Sequence, residues 1–284
     1  MTDRVLTKTE PSGAATASEG PTSQQAELEL VGIAKKFETK RTSTLALTGI
    51  DLAIGRREFV SVIGRSGCGK TTLLRTLAGL VSPSEGEVRV QGRGLWRGNS
   101  RDPEVMHKFG VIFQDANLFP WYTVEENIAL PLRMRGEDKR SRLHRAHELA
   151  ELVGLTGFER SYPRELSGGM RQRTAIARAL SYRPEILLMD EPFGALDALT
   201  RERMNLEVQS IATTTEATVV FVTHDITEAV FLADRVVLLS PRPGRIKSIT
   251  DIALQRPREL DLQTTPQFQD IVRTLRHQLY EDEA

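Results

Sequence analysis

Eight consecutive residues, Gly64-Arg65-Ser66-Gly67-Cys68-Gly69-Lys70-Thr71, set the terms for the rest of the chain. They lie between a short apolar run, Phe59-Val60-Ser61-Val62-Ile63, and a stretch of helical character from Thr71 to Leu77. An apolar run that stops at glycine reads as a buried strand. Strand, glycine-rich turn and helix in that order give the G-x-x-x-x-G-K-[ST] spacing a phosphate-binding sense. The glycines let backbone N–H groups converge on phosphate oxygens where a Cβ would collide. The helix start adds a positive partial charge. Lys70 is expected to reach the β- and γ-phosphates of a nucleotide and Thr71 to ligate Mg²⁺. A thiol near a helix N-terminus can have a lowered pKa, but Cys68 is read as a small loop residue without chemical duty.

The remaining pattern extends this unit into an α/β fold. Leu28 to Val31, Leu45 to Ile54, Glu87 to Gln91 and Val111 to Phe113 read as strands. After Pro184, strand runs Ile186 to Met189, Thr218 to Val222 and Val236 to Leu239 alternate with helical stretches. Such alternation predicts a parallel sheet covered by helices. Between Phe113 and Ile186 the chain reads as helical, a separate lobe over about 115–182. Thr123-Val124-Glu125-Glu126 has capping-box spacing at one helix start. A second helix is expected from Asp138 to Val153, with Gly154 as its stop. Beyond about 257, Phe268, Ile271, Leu275 and Leu279 recur at helical spacing. Residues 1–27 carry few large apolar side chains and are expected to be a disordered tail.

Composition narrows the function classes. With 38 Lys+Arg against 38 Asp+Glu, the chain lacks the basic excess of a nucleic-acid protein, and none is expected as a partner. One cysteine excludes an internal disulfide framework. No apolar run approaches the roughly 20 residues needed to span a bilayer. The first residues lack the pattern of a signal peptide. Membrane contact is expected only through a partner.

Three predicted strands end in residues suited to phosphate chemistry. Ile186 to Met189 runs into Asp190-Glu191. An acid at the C-terminal edge of such a sheet suits Mg²⁺. Asp190 takes that role, and Glu191 is the candidate general base for an attacking water. Thr218 to Val222 leads to His224, placed to contact a γ-phosphate. Val111 to Phe113 leads to Gln114, whose amide can accept Mg²⁺ or hydrogen-bond water. Farther along, Leu166-Ser167-Gly168-Gly169 opens a helix. Ser167 is a good N-cap, and the two glycines leave bare N–H groups behind it, a second phosphate-type site. One nucleotide does not obviously need two such sites, which could serve one nucleotide each if two chains pack head to tail; the short motif alone also fits an ordinary capped helix.

Together these motifs resemble the ATP-binding subunits of ABC transporters over roughly 28–250. The glycine-rich loop, Gln114, Leu166 to Gly169, Asp190-Glu191, Gly194-Ala195-Leu196-Asp197 and His224 come in that family's order. The departures are small: Thr71 stands where serine is usual, and Met170 where glutamine often follows the two signature glycines. The resemblance implies an ATPase with ATP and Mg²⁺ as cofactors. Its fold would be a P-loop core with an antiparallel β subdomain and an inserted α-helical signature subdomain. Thr72 would join residues 64–71 around the nucleotide, and Phe37 would stack on adenine. In a nucleotide-sandwich dimer, Ser167, Gly168 and Gly169 of one copy would meet the phosphates held by the other, with Asp197 at the interface.

A narrower likeness is to the nitrate/sulfonate/taurine importer group. It rests on Leu118 to Val124, Leu166 to Arg173, Asp190 to Arg201, Phe221 to Leu239 and Arg242-Pro243-Gly244-Arg245-Ile246. That group implies an importer of a small anionic solute, with integral-membrane permease subunits fed by an extracytoplasmic binding protein. The chain would sit on the cytoplasmic face of the inner membrane, touching the permease through Trp121 and Tyr122. The alternative is a soluble ABC-type ATPase acting on nucleic acid or ribosomes.

Overall fold

The structure, a computed structural model, describes residues 26–39, 42–98 and 100–281. All but two residues of the expected N-terminal tail lie outside that range. Those two, Ala26 and Glu27, open the first strand. The Gln91 N–H donates to the Glu27 carbonyl (3.0 Å) and its side-chain amide to the Glu27 carboxylate (2.7 Å), so pairing extends past Leu28.

The N-terminal part is β-rich. It comprises β1 (Ala26–Glu38), β2 (Ser43–Gly55), β3 (Phe59–Gly64), helix α1 (Lys70–Leu77) and β4 (Glu85–Val90). The short strands β5 (Arg93–Gly94), β6 (Trp96–Arg97) and β7 (Ser100–Arg101), helix α2 (Pro103–Met106) and strand β8 (Phe109–Ile112) complete it. The helical lobe holds α3 (Val124–Met134), α4 (Lys139–Leu152) and α5 (Gly168–Leu180). The chain then alternates through β9 (Ile186–Asp190), α6 (Ala198–Thr215), β10 (Thr218–Val222), α7 (Ile226–Leu232), β11 (Arg235–Leu239) and β12 (Ile246–Asp251), ending in α8 (Pro266–Tyr280).

Two main sheets result. One has the order β12-β11-β3-β10-β9-β8, with every neighbouring pair parallel except β11 and β12. Its central strands β3, β9 and β10 are buried at every position, which is why they read as unbroken apolar runs. The other sheet, β2-β1-β4-β5, is antiparallel and packs its apolar face on α1 through Leu47, Ile50 and Leu74. The expected strand at Val111 to Phe113 begins earlier and ends at Ile112. Gly110 lets it lie against β9, since a Cβ there would come within 2.8 Å of Leu187.

Local signals account for the helical lobe. Thr123 accepts from the Glu126 N–H (3.3 Å), and the Glu126 carboxylate accepts from the Thr123 N–H (2.9 Å), closing the capping box. Asp138 caps α4, and Gly154 follows it at φ 66°, a conformation cheap only for glycine. Phe268, Val272 and Leu275 bury one stripe of α8 in the same core as α7.

The extension is also held by a feature the sequence hid. Arg258 is buried, and its guanidinium donates to the carbonyls of Val230 (2.8 Å), Phe231 (3.0 Å) and Ala233 (2.8 Å) at the end of α7. A further bond goes to the Leu254 carbonyl (3.0 Å). Burial pulls this group down to about 10, and the nearby Arg256 charge adds to that, yet it stays a cation at neutral pH.

Candidate active site

The C-terminal edge of the parallel sheet gathers the expected residues. β3 ends at Gly64 and the loop 65–69 runs into α1, whose N-cap Gly69 sits at φ 109°. A Cβ on Gly69 would come within 2.7 Å of Leu47 and 3.0 Å of the Ala46 carbonyl, so only glycine fits. The loop borders a cavity of about 310 Å³ whose wall includes Ser66, Gly67, Gly69, Lys70, Thr71 and Thr72, together with Glu191 and His224. Lys70 is folded back, its ammonium donating to the carbonyls of Gly64 (2.9 Å) and Arg65 (3.3 Å).

The acidic pair splits at the strand end. Asp190 closes β9, and its carboxylate accepts a hydrogen bond from the Thr71 hydroxyl at 3.2 Å. Burial pushes the Asp190 carboxyl above the usual range; the Thr71 bond lowers it and the Glu191 charge raises it further. Glu191 leaves the strand at φ 43°, an uncommon conformation for a residue with a side chain. That turn carries one carboxylate oxygen to 3.9 Å from the Lys70 ammonium and the other to 3.0 Å from His224 Nδ1. Gln114 approaches the same turn: a Cβ built on Gly194 would lie 3.3 Å from its amide nitrogen and 3.8 Å from a Glu191 oxygen. Cys68 is buried behind the loop, and burial pushes its thiol up, so the lowered pKa open to such a position does not arise.

Other expected residues stand away from the cavity. Phe37 is 42% exposed near the end of β1, with the Lys35 ammonium 5.1 Å from its ring centre. Ser167 caps α5, accepting from the Met170 N–H at 3.3 Å. Ser167 and Gly168 are exposed and off the cavity wall. Asp197 caps α6, its carboxyl lowered by the hydrogen bonds from Thr200. Gly168 and Gly169 abut the start of α6, where added Cβ atoms would meet Leu196 (3.4 Å) and Thr200 (2.9 Å).

A second feature lies on the helical lobe. Phe119, Trp121 and Tyr122 cluster with ring centres 5.6 to 6.3 Å apart, and Trp121 is 65% exposed. Buried Asn127 shapes this turn. Its amide donates to the carbonyls of Phe119, Tyr122 and Thr123 and accepts from the Phe119 N–H. Sequence reasoning found the aromatics but missed Asn127, which lies one position beyond the capping box it had identified.

A parallel sheet whose strand ends carry a phosphate loop, an acidic pair and a histidine defines a P-loop nucleotide-binding protein. The chain belongs to the ABC transporter family, whose model matches residues 47–194. It is 48% identical over 232 residues to an uncharacterized ABC transporter ATP-binding protein of Methanocaldococcus jannaschii, covering 82% of this chain and 84% of that one. It is 44% identical to the aliphatic sulfonates import ATP-binding protein of Bacillus subtilis, covering 84% and 88%. It is 45% identical to the nitrate import ATP-binding protein of Synechocystis, covering 78% and 80%. Among solved structures it resembles a dimeric ATP-binding cassette in a post-hydrolysis state with ADP and Pi. That match has 34% identity and a TM-score of 0.70, covering 80% of this chain and all of that one.

Proposed function

We propose that this chain is the ATP-hydrolysing subunit of an importer for a small anionic solute of the sulfonate or nitrate type. It works as a head-to-tail pair on the cytoplasmic face of the inner membrane, beneath permease subunits supplied by an extracytoplasmic binding protein. One observation carries the reading. Lys70, Thr71, Glu191 and His224 line one cavity, with Asp190 hydrogen-bonded to Thr71 beside it, while the Ser167 helix start stands exposed and apart from it. Each chain thus holds two halves of a phosphate site that do not meet within it.

The residues define the chemistry. Backbone N–H groups of 64–71 and the Lys70 ammonium bind the phosphates. The Thr71 hydroxyl and Asp190 carboxylate form a hard-oxygen pair suited to Mg²⁺, with Gln114 as a further oxygen donor. The fit is physical: a cation beside Asp190 offsets the burial that raises its carboxyl. The ion would neutralise charge developing on the phosphates. Glu191 takes the proton of the attacking water, and His224, bonded to Glu191 at 3.0 Å, orients that carboxylate and faces the γ-phosphate. Phe37 stacks on the adenine. Ser167, Gly168 and Gly169 of the second copy close over the nucleotide, with Asp197 beside the seam. The exposed aromatics Trp121 and Tyr122 dock on the permease. Among the described residues no helix is long and apolar enough to cross a membrane. The relatives named as import proteins favour transport over an ATPase acting on nucleic acid or ribosomes.

Steady-state ATPase measurement on Glu191→Gln tests the assignment. The amide keeps the shape but cannot accept the proton, so turnover should fall by about 10²–10⁴-fold. Near-normal turnover would remove Glu191 from the role of base.

A further inference from the structure

A second cation faces the phosphate cavity from a distant part of the chain. Arg242 lies in the turn 240–245 between β11 and β12, 175 positions from Gly67, yet it shares the cavity wall with Lys70 and His224. Its Nε donates to the Gly67 carbonyl at 3.2 Å. Among the described residues no carboxylate pairs with it, and its two terminal NH₂ groups make no hydrogen bond. Lys70, by contrast, spends its donors on the Gly64 and Arg65 carbonyls. A guanidinium anchored at Nε and free at both ends is set up to receive an anion.

The turn that carries it is fixed on both sides. The Gly244 N–H donates to the Ala46 carbonyl (2.9 Å), and the Thr48 N–H donates to the Gly244 carbonyl (3.1 Å), tying the turn to β2. Gly244 also presses on the back of the phosphate loop: a Cβ there would collide with the Cys68 carbonyl oxygen. Ser240 closes the turn, its N–H donating to the Arg245 carbonyl (2.9 Å) and its hydroxyl accepting from the Arg245 N–H (3.1 Å). The backbone of the turn is therefore set by packing, and the exposed Arg242 side chain is anchored by its bond to the Gly67 carbonyl.

We propose that Arg242 is a nucleotide-binding residue that contacts the polyphosphate of ATP held by residues 64–72. This rests on reading the cavity as the ATP site. The contact forms with ADP as well as ATP and is absent for adenosine, because the charge addresses phosphate and not base. Being partly in solvent, it weakens as salt rises.

Equilibrium binding of ATP, ADP and adenosine to the purified full chain tests the proposal, using Arg242→Gln, Arg242→Lys and Lys70→Ala. Glutamine keeps a donor for the Gly67 carbonyl but loses the charge. It should weaken ATP and ADP by about 5–20-fold, in the range of one partly exposed charge-assisted hydrogen bond, and leave adenosine unchanged. Lysine keeps the charge and should restore most of the affinity. The glutamine defect should shrink at high salt. Wild-type affinity in Arg242→Gln would reduce Arg242 to a brace for Gly67 and overturn the proposal, as would an equal loss for adenosine. Lys70→Ala separates the two readings. If it binds ATP normally, the cavity is not the ATP site. If it fails while Arg242→Gln binds normally, only the Arg242 inference falls.

Discussion

Replacing Glu228 with glutamine probes a strongly shifted carboxyl beside the site. Glu228 lies on α7 and is 6% exposed. One oxygen accepts a hydrogen bond from the Thr223 hydroxyl at 2.6 Å, and the other is 3.6 Å from Arg201 Nε of α6. Burial raises its pKa from 4.5 to about 7; Asp225 adds to the rise, while Thr223, Arg201 and His224 oppose it. Because the folded pKa is raised, the stabilisation is fully present below 4.5 and is lost as pH climbs through 7. A rise from 4.5 to about 7, at about 1.4 kcal/mol per tenfold change in proton affinity, comes to about 3 kcal/mol. Glutamine keeps the shape and cannot ionise. Urea unfolding of the isolated chain should give similar stability for both proteins near pH 5. The variant should gain by up to about 3 kcal/mol at pH 8.5. Titrating groups that do not interact with Glu228 cancel in the difference. Wild-type and variant curves that stay parallel from pH 5 to 8.5 would refute the buried, protonated Glu228.

Further outcomes follow from the same geometry. Lys70→Ala should lose ATP affinity, whereas Ser167→Arg should bind ATP as a monomer yet neither dimerise nor hydrolyse. A mixture of the two should regain ATPase activity, because one composite site per mixed dimer is intact; equal loss of monomer affinity in both variants would contradict the head-to-tail arrangement. Gly244→Ala should destabilise the protein by about 1–3 kcal/mol through its clash with the Cys68 carbonyl, read as a lower unfolding midpoint. Trp121→Ala with Tyr122→Ala should preserve folding and ATP binding but abolish uptake and permease-dependent membrane association, since a few large anchors carry most of a contact. Unimpaired uptake would remove that docking surface.

What the sequence disclosed divides by the range of the interaction. Local signals were sufficient for the glycine-rich loop, the capping box at Thr123 and the buried strands β3, β9 and β10, whose residues are apolar because both faces are covered. Gly110 broke the apolar run and hid the start of β8. Charged residues read as surface, so Arg258 escaped notice, although its burial is satisfied by backbone carbonyls. The Glu191 turn shows no signal in the residue types: its φ of 43° and its 3.0 Å approach to His224 are visible only in three dimensions. Arg242 was visible as part of a motif, but only the three-dimensional approach of the turn to Gly67 gives it a ligand.

The central claim is that ATP completes a shared site between two copies. Light scattering during size-exclusion chromatography of Glu191→Gln tests it directly, with and without MgATP. The account predicts a monomer without nucleotide and a stable species of twice that mass with MgATP, carrying two ATP molecules. A protein that binds MgATP yet remains monomeric would contradict it.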